Sequence, residues 1–262
     1  MRKLIVTIFI TLAATAAGAA ELHETIDRTY DVRPNATFSL DNVNGRVTIS
    51  SWDQPRIRVI ADKSASGWDS DDVRAAMREV RVDIQARGDS VIVKTIQPEK
   101  NFGFLDLLFG HHVNRNVRYE ITVPRATNLD VATVNGSVHI DAVNGVHKIE
   151  TTNGKIEMER CGGSIDASTT NGGIRAELLS VTPGKPMAFE TTNGHITVVV
   201  PPSYSGDVDA STTNGGISSD LPVATRSVDR NTLKGTINGG RGGSLRLRTT
   251  NGGIDIRSTA SR

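Results

Sequence analysis

A single cysteine, Cys161, stands in 262 residues, so no internal disulfide holds this chain together. Aromatic side chains make up only 4% of it, few for a globular enzyme of this length but enough for a thin core shared between stacked layers. Net charge is nearly absent too: the formal value is +1, and without Arg2 and Lys3 there are 28 basic against 29 acidic side chains. That balance excludes the basic field that nucleic-acid binding requires. Beyond residue 20 no apolar run is long enough to span a bilayer. His111 and His112 are adjacent and His23, His139, His147 and His195 are scattered, which is not the spacing of a zinc site. The Gly-rich turns lack the Asp of calcium-binding nonapeptides. No catalytic, cofactor-binding or metal-binding residue is therefore assigned.

What is present begins with an export signal. Arg2 and Lys3 precede an uncharged, largely apolar run from Leu4 to Ala17, followed by Gly18, Ala19 and Ala20. Cleavage near Ala19 or Ala20 predicts an exported chain that is periplasmic, envelope-associated or extracellular, with no cysteine at the cleavage site to carry a lipid.

The dominant feature is a repeat. Asn-Gly occurs at Asn44, Asn135, Asn144, Asn153, Asn171, Asn193, Asn214, Asn238 and Asn251, most often as ThrThrAsnGly, with Ile or Val three positions after the Asn. Fixed-period self-similarity marks a stacked repeat fold. Before each corner apolar residues alternate, as in Leu129, Val131, Thr133, Asn135 and again in Leu245, Leu247, Thr249, Asn251; period two is a strand with one buried face. This parity places the Asn on the same inward face as the Thr two positions before it. Positive φ at Asn-Gly would make each dipeptide a corner between two strands. Asn135, Asn144 and Asn153 are nine apart, giving coils of 18 residues that lengthen to 22 and 21 from Asn171 to Asn193 to Asn214, the extra residues falling at 181–186 and 201–206.

These spacings predict an all-β chain: a parallel β-solenoid of the β-helix or β-roll kind, with about 18–22 residues per coil, rather than a meander of Asn-Gly hairpins. Asn44, Asn135, Asn153, Asn171, Asn193, Asn214 and Asn251 would stack as a structural ladder whose amides pair along the coil axis. An inward Asn193 would cost about 1 to 3 kcal/mol on truncation to alanine.

The organisation read from this is a signal at 1–20, a divergent amino-terminal part at 21–128, and regular coils at 129–262. Within the divergent part, 69–79 reads as a short helix with Val73, Ala76, Met77 and Val80 on one face, and 80–84 and 91–94 as a hairpin; together they are the insertion or cap for an open end. ArgGlyAspSer at 87–90 reads as the hairpin's turn rather than a recognition string. An apolar segment follows, with Phe102, Phe104, Leu105, Leu107, Leu108 and Phe109 as a candidate partner contact.

LeuAspAsnValAsnGlyArgValThrIle at 40–49 and the ThrThrAsnGlyGlyIle coils from about 130 onward resemble the bacterial putative-adhesin family of unknown function termed LiaG-like, and its relative, the GIN-type head domain of putative autotransporter adhesins. The resemblance implies adhesion or a cell-envelope role and carries no catalytic residues. It points to a non-catalytic binding or structural module whose partner is an envelope protein, a polysaccharide or a membrane surface. The rival is a polysaccharide lyase or hydrolase on the same scaffold, which would need clustered carboxylates on neighbouring coils. The outward residues Lys155, Glu157, Arg175, Glu177, Asp255 and Arg257 are instead of mixed charge. Cys161, beside Gly162 and Gly163, reads as a small packing residue.

Overall fold

The computed structural model describes residues 5–14, 20–97, 113–180, 184–240 and 242–259. Its strands form one continuous sheet folded into two walls, with the core between them. In spatial order the first wall holds β7 (Ser90–Ile96), β3 (Ala36–Asn44), β9 (Thr127–Asn135), β11 (Asn144–Asn153), the second half of β12 (Ile156–Asn171), β14 (Met187–Asn193), β20 (Gly243–Asn251) and β16 (Gly206–Asn214). Each pairs in parallel with the next. The second wall runs β8 (Asn114–Pro124), β4 (Val47–Trp52), β10 (Val138–Asp141), the first half of β12, β13 (Ile174–Ser180), β15 (Ile196–Val200), β21 (Ile254–Ser258) and β17 (Ile217–Ser219), also in parallel. One strand from each wall makes a layer.

Antiparallel strands finish both ends. At one end β6 (Arg81–Arg87) pairs with β7 across a turn in which Gly88 has φ +59°. On the other wall β5 (Arg56–Gly67) pairs with β8, β2 (Ala20–Asp31) with β5, and β1 (Ile5–Ala14) with β2. At the far end β19 (Thr232–Ile237) pairs with β16, and β18 (Val223–Asp229) with β19. Helix α1 (Ser70–Glu79) lies against β5 and β2, burying Val73 and Ala76, and Asp69 caps it by accepting from the Asp71 and Asp72 N–H groups.

The repeat explains the corners, but positive φ holds at only three of the Asn-Gly glycines, Gly45 at 128°, Gly239 at 84° and Gly252 at 154°. Gly136, Gly154, Gly172, Gly194 and Gly215 do not adopt it. Glycine is needed there because stacked corners touch: a Cβ on Gly154 would stand 2.0 Å from the Gly136 carbonyl oxygen. Left-handed backbone appears instead at the opposite corners, where Ala142 and Arg160 have φ 57° and 51°.

Layer order also departs from chain order. Asn171 stacks on Asn193 as the spacing suggests, but Asn214 stacks on Asn251, whose layer lies between those of Asn193 and Asn214. The residues at 201–205 let the chain step over one layer, two inter-strand spacings or about 10 Å, and the last strands return to fill the slot. Tyr204, buried there, donates its hydroxyl to the Gly243 carbonyl in the filling strand at 3.3 Å.

Candidate binding surface

Each residue of ThrThrAsnGly has its own task. The first Thr points inward, and its hydroxyl donates to the Gly carbonyl of the preceding layer: Thr151 to Gly136 at 3.1 Å, Thr169 to Gly154 at 3.0 Å, Thr191 to Gly172 at 2.8 Å. The inserted layer obeys the same rule, Thr249 donating to Gly194 and Thr212 to Gly252. A half-buried corner carbonyl is thereby satisfied in every such layer. In the divergent layer Asn42 replaces this Thr, and its amide donates at 3.2 Å to both Gly45 O and Val117 O. Thr95 then donates to Asn42 Oδ1 at 2.9 Å and lies 2.7 Å from the Tyr119 hydroxyl, whose burial pushes its pKa up to about 12.

Asn comes at the corner itself, and its side chain is exposed in every layer but the divergent one, where Asn44 is half-buried. The inward placement expected from strand parity is thus corrected: the strand ends at Asn and the bend turns the side chain out. Asn135 donates to Asn44 Oδ1, Asn153 to Asn135, Asn171 to Asn153, Asn193 to Asn171, Asn251 to Asn193 and Asn214 to Asn251, each at 2.8 Å. Asn44 donates in turn to Gln97 Oε1 at 3.3 Å. All these amides point the same way, and the corner backbone runs opposite, as when Gly154 N–H donates to Asn171 O. Asn144 and Asn238 lie off this chain; Asn238 donates to the Tyr204 carbonyl at 2.8 Å. The candidate contacts Phe102, Phe104, Leu105, Leu107, Leu108 and Phe109 lie outside the described residues, as do His111 and His112.

The second Thr points outward, a role the sequence reading did not assign. Register puts Ile96, Val43, Val134, Thr152, Thr170, Thr192, Thr250 and Thr213 in one rank beside the amide chain. Three apolar positions give way to five threonines. Over the threonine part lies an open groove of about 440 Å³, whose outer lining includes Thr170, Thr192, Thr250, Thr213, Glu190 and Arg248. The doubled Thr was its visible signal. The adjacency of Glu190 and Arg248 was not visible, because it depends on β20 lying against β14.

The other wall carries a polar cluster made by the same insertion. Asp255 accepts from Ser218 Oγ at 2.6 Å and from Arg257 at 2.9 Å, and its Oδ2 lies 3.0 Å from His195 Nε2. Burial pushes its carboxyl pKa up, but the bonds from Ser218, Arg257 and His195 outweigh burial and hold it below the usual value. The serine hydroxyl is spent on the carboxylate instead of the imidazole, so this is not a nucleophile–base relay. Cys161 is fully buried with its Sγ 3.3 Å from Glu159 O, and burial pushes its thiol up to about 11, leaving it protonated and inert. Among the described residues no group of three or more His, Cys, Asp or Glu could hold a metal ion, and no helix is long and apolar enough to cross a membrane.

The family model described as Toastrack DUF4097 matches residues 31–257. Two solved structures match over most of the chain. One, described as a putative cell adhesion protein from Clostridium sporogenes, is 14% identical, with a TM-score of 0.48 over 89% of this chain and 99% of that one. The other, described as a putative adhesin from Bacteroides fragilis, is 12% identical, with a TM-score of 0.36 over 89% of this chain and 96% of that one. No curated protein matches the chain.

Proposed function

This chain belongs to the Toastrack DUF4097 family, and from that premise we propose that it is an exported, non-catalytic binding module of the cell envelope, adhesin-like in action, on a parallel solenoid of 18 to 22 residues per coil. The observation that carries the reading is the threonine groove. Four outward hydroxyls from successive layers, Thr170, Thr192, Thr250 and Thr213, stand in register beside a continuous amide chain. Donors and acceptors repeated at about 4.8 Å suit an extended hydroxyl- or amide-bearing polymer lying along the stack. A polysaccharide strand is the occupant that fits best.

The rival reading, a lyase or hydrolase, needs paired acids. Glu190 is the one carboxylate among the groove's lining residues, and Arg248 lines the groove beside it. Export rests on Arg2, Lys3 and the apolar run to Ala17; cleavage near Ala20 would remove β1 and leave β2 as the sheet's edge.

The test is co-sedimentation of the purified protein with isolated envelope polysaccharide. A Thr192→Lys, Thr250→Lys variant, which fills the groove without touching the core, should lose at least about tenfold in affinity, a difference of about 1.4 kcal/mol. A second variant lacking residues 102–109 separates the groove from the apolar segment. Undiminished binding by the lysine variant would sink the groove, and release of new chain ends from the polymer would favour the enzyme.

A further inference from the structure

A second concavity lies at the opposite corners from the amide chain, where three short connections meet at the β6 end of the stack. It has a volume of about 310 Å³, and its walls include Trp52, Pro34 and Pro124, with Arg33, Asp53 and Arg125 among the residues around them. We propose that this pocket binds an acidic saccharide, a uronic-acid unit at the end of or within a glycan, with the sugar ring against Trp52 and the prolines and its carboxylate on the arginines. The site is separate from the threonine groove and does not depend on it.

Four observations carry this. First, the walls are pinned before any ligand arrives. Val32 N–H donates to the Pro55 carbonyl at 3.0 Å, Thr127 Oγ1 to the Pro124 carbonyl at 2.7 Å, and Asn144 N–H to the Arg125 carbonyl at 2.7 Å. A preformed pocket avoids the ordering cost of binding. Second, the Trp52 indole N–H donates to the Arg56 carbonyl at 2.7 Å, which fixes the ring through its one polar atom and leaves its carbon faces for contact. A flat apolar wall fits the C–H face of a pyranose.

Third, Arg125 is already oriented. Its Nε donates to Asp53 Oδ1 at 2.6 Å, so the terminal Nη groups of the fork remain for an incoming carboxylate. The hydrogen bond and the charge of Arg125 also lower the Asp53 pKa, which keeps the pair ionised. Fourth, the lining charges are two arginines against one carboxylate, and both arginines are well exposed, at 81% and 59%. Arg33 Nε also pairs with Asp89 at 3.7 Å, a long and solvent-exposed ion pair that a ligand carboxylate would have to displace. The carboxylate of an anionic ring compound can take the place of Asp89 on Arg33 and add to Asp53 on Arg125, which a neutral sugar cannot do.

The chain has two tryptophans, Trp52 and Trp68. Full-length protein carrying Trp68→Phe therefore reports on the pocket by fluorescence alone. It is titrated with di- and trisaccharides of galacturonate, glucuronate, mannuronate and guluronate, and with the matching neutral oligosaccharides, with calorimetry in parallel. The expected result is a saturable change in Trp52 emission with at least one uronate. Its affinity should fall at least tenfold in Arg125→Gln and severalfold in Arg33→Gln, with melting temperatures unchanged because both side chains are exposed. Thr192→Lys should leave this binding intact, so failure here and failure of the groove are told apart. The proposal is overturned if no uronate binds by either readout, if neutral sugars bind equally well, or if both arginine variants fold and bind like the parent.

Discussion

At the scale of single residues, space and charge at particular atoms decide what the chain tolerates. Gly215 and Gly216 are neighbours with opposite demands: a Cβ on Gly215 would lie 1.9 Å from the Gly252 carbonyl oxygen, whereas a Cβ on Gly216 meets nothing within 4 Å. Gly215→Ala should thus cost about 3 kcal/mol in denaturant unfolding, and Gly216→Ala should change stability by no more than about 0.5 kcal/mol. Equal effects from the two would mean the corners do not touch. His147 is the second case. It is fully buried at a position paired with Leu129 on one side and Ile165 on the other; Nε2 lies 3.3 Å from the Val143 carbonyl and Nδ1 is buried with no well-formed hydrogen bond among the described residues. Burial drives its pKa down to about 4 from the ordinary 6.5. The unfolded chain therefore takes up the proton first: stability present above about pH 6.5 falls as the pH drops toward 4, by about 3 kcal/mol in all. His147→Leu should remove that part of the pH dependence, read as the difference between the two proteins' unfolding free energies at pH 7 and pH 4. Parallel curves would show that the imidazole reaches water.

At the scale of the corner and its strands, the repeat unit divides labour between inner and outer hydroxyls. Thr169→Val deletes a bond from a buried hydroxyl to the half-buried Gly154 carbonyl and should cost about 1.5 kcal/mol, while Thr170→Val, on the groove surface, should stay within about 0.5 kcal/mol. Asn171 both donates to Asn153 and accepts from Asn193, whereas Asn214 ends the chain with one donated bond. Replacing each with alanine should cost about 1 kcal/mol at Asn171 and about half that at Asn214, less than a buried amide would, because water can partly replace an exposed partner. Urea unfolding of the four variants checks the order, and a Thr170 effect as large as that of Thr169 would contradict it. This is also where the sequence was most readable. Period-two alternation identified Thr133 and Thr249 as inward, and the recurrence of Asn-Gly identified the corners. Parity failed at the Asn because the Asn is the last residue of its strand, where the bend already turns the side chain outward. Dihedral freedom is used at Gly45, Gly239 and Gly252, but at Gly136, Gly154, Gly172, Gly194 and Gly215 the constraint is a neighbouring carbonyl, a contact between layers that one repeat viewed alone does not contain.

At the scale of the whole molecule, the order of the layers is the feature that composition and spacing could not disclose. Nothing in ThrThrAsnGlyGlyIle at 212–217 or in its identical copy at 249–254 says which of them sits against Asn193. The groove depends on the answer, since Glu190 neighbours Arg248 only when β20 is the inner strand, and so does the His195–Asp255 cluster. In a stack wound in chain order the final strands are an end piece, and their loss exposes a single layer face. Here they are an interior layer, with β14 and β15 on one side and β16 and β17 on the other. Ending the chain at Gly242 therefore strips partners from both sides, including the core contributions of Leu245, Leu247, Ile254 and Ile256. The β16–β19 pairing is left with no parallel neighbour on its inner edge. Hydrogen exchange on that truncated chain should show β16, β17 and β19 losing protection together, while β9, β11 and β12 keep theirs, because local stability follows the packing of each layer against its neighbours. Retained protection in β16 alongside β14 would mean that the Asn214 layer can close directly onto the Asn193 layer, and that the inserted position of the last strands is dispensable to the fold.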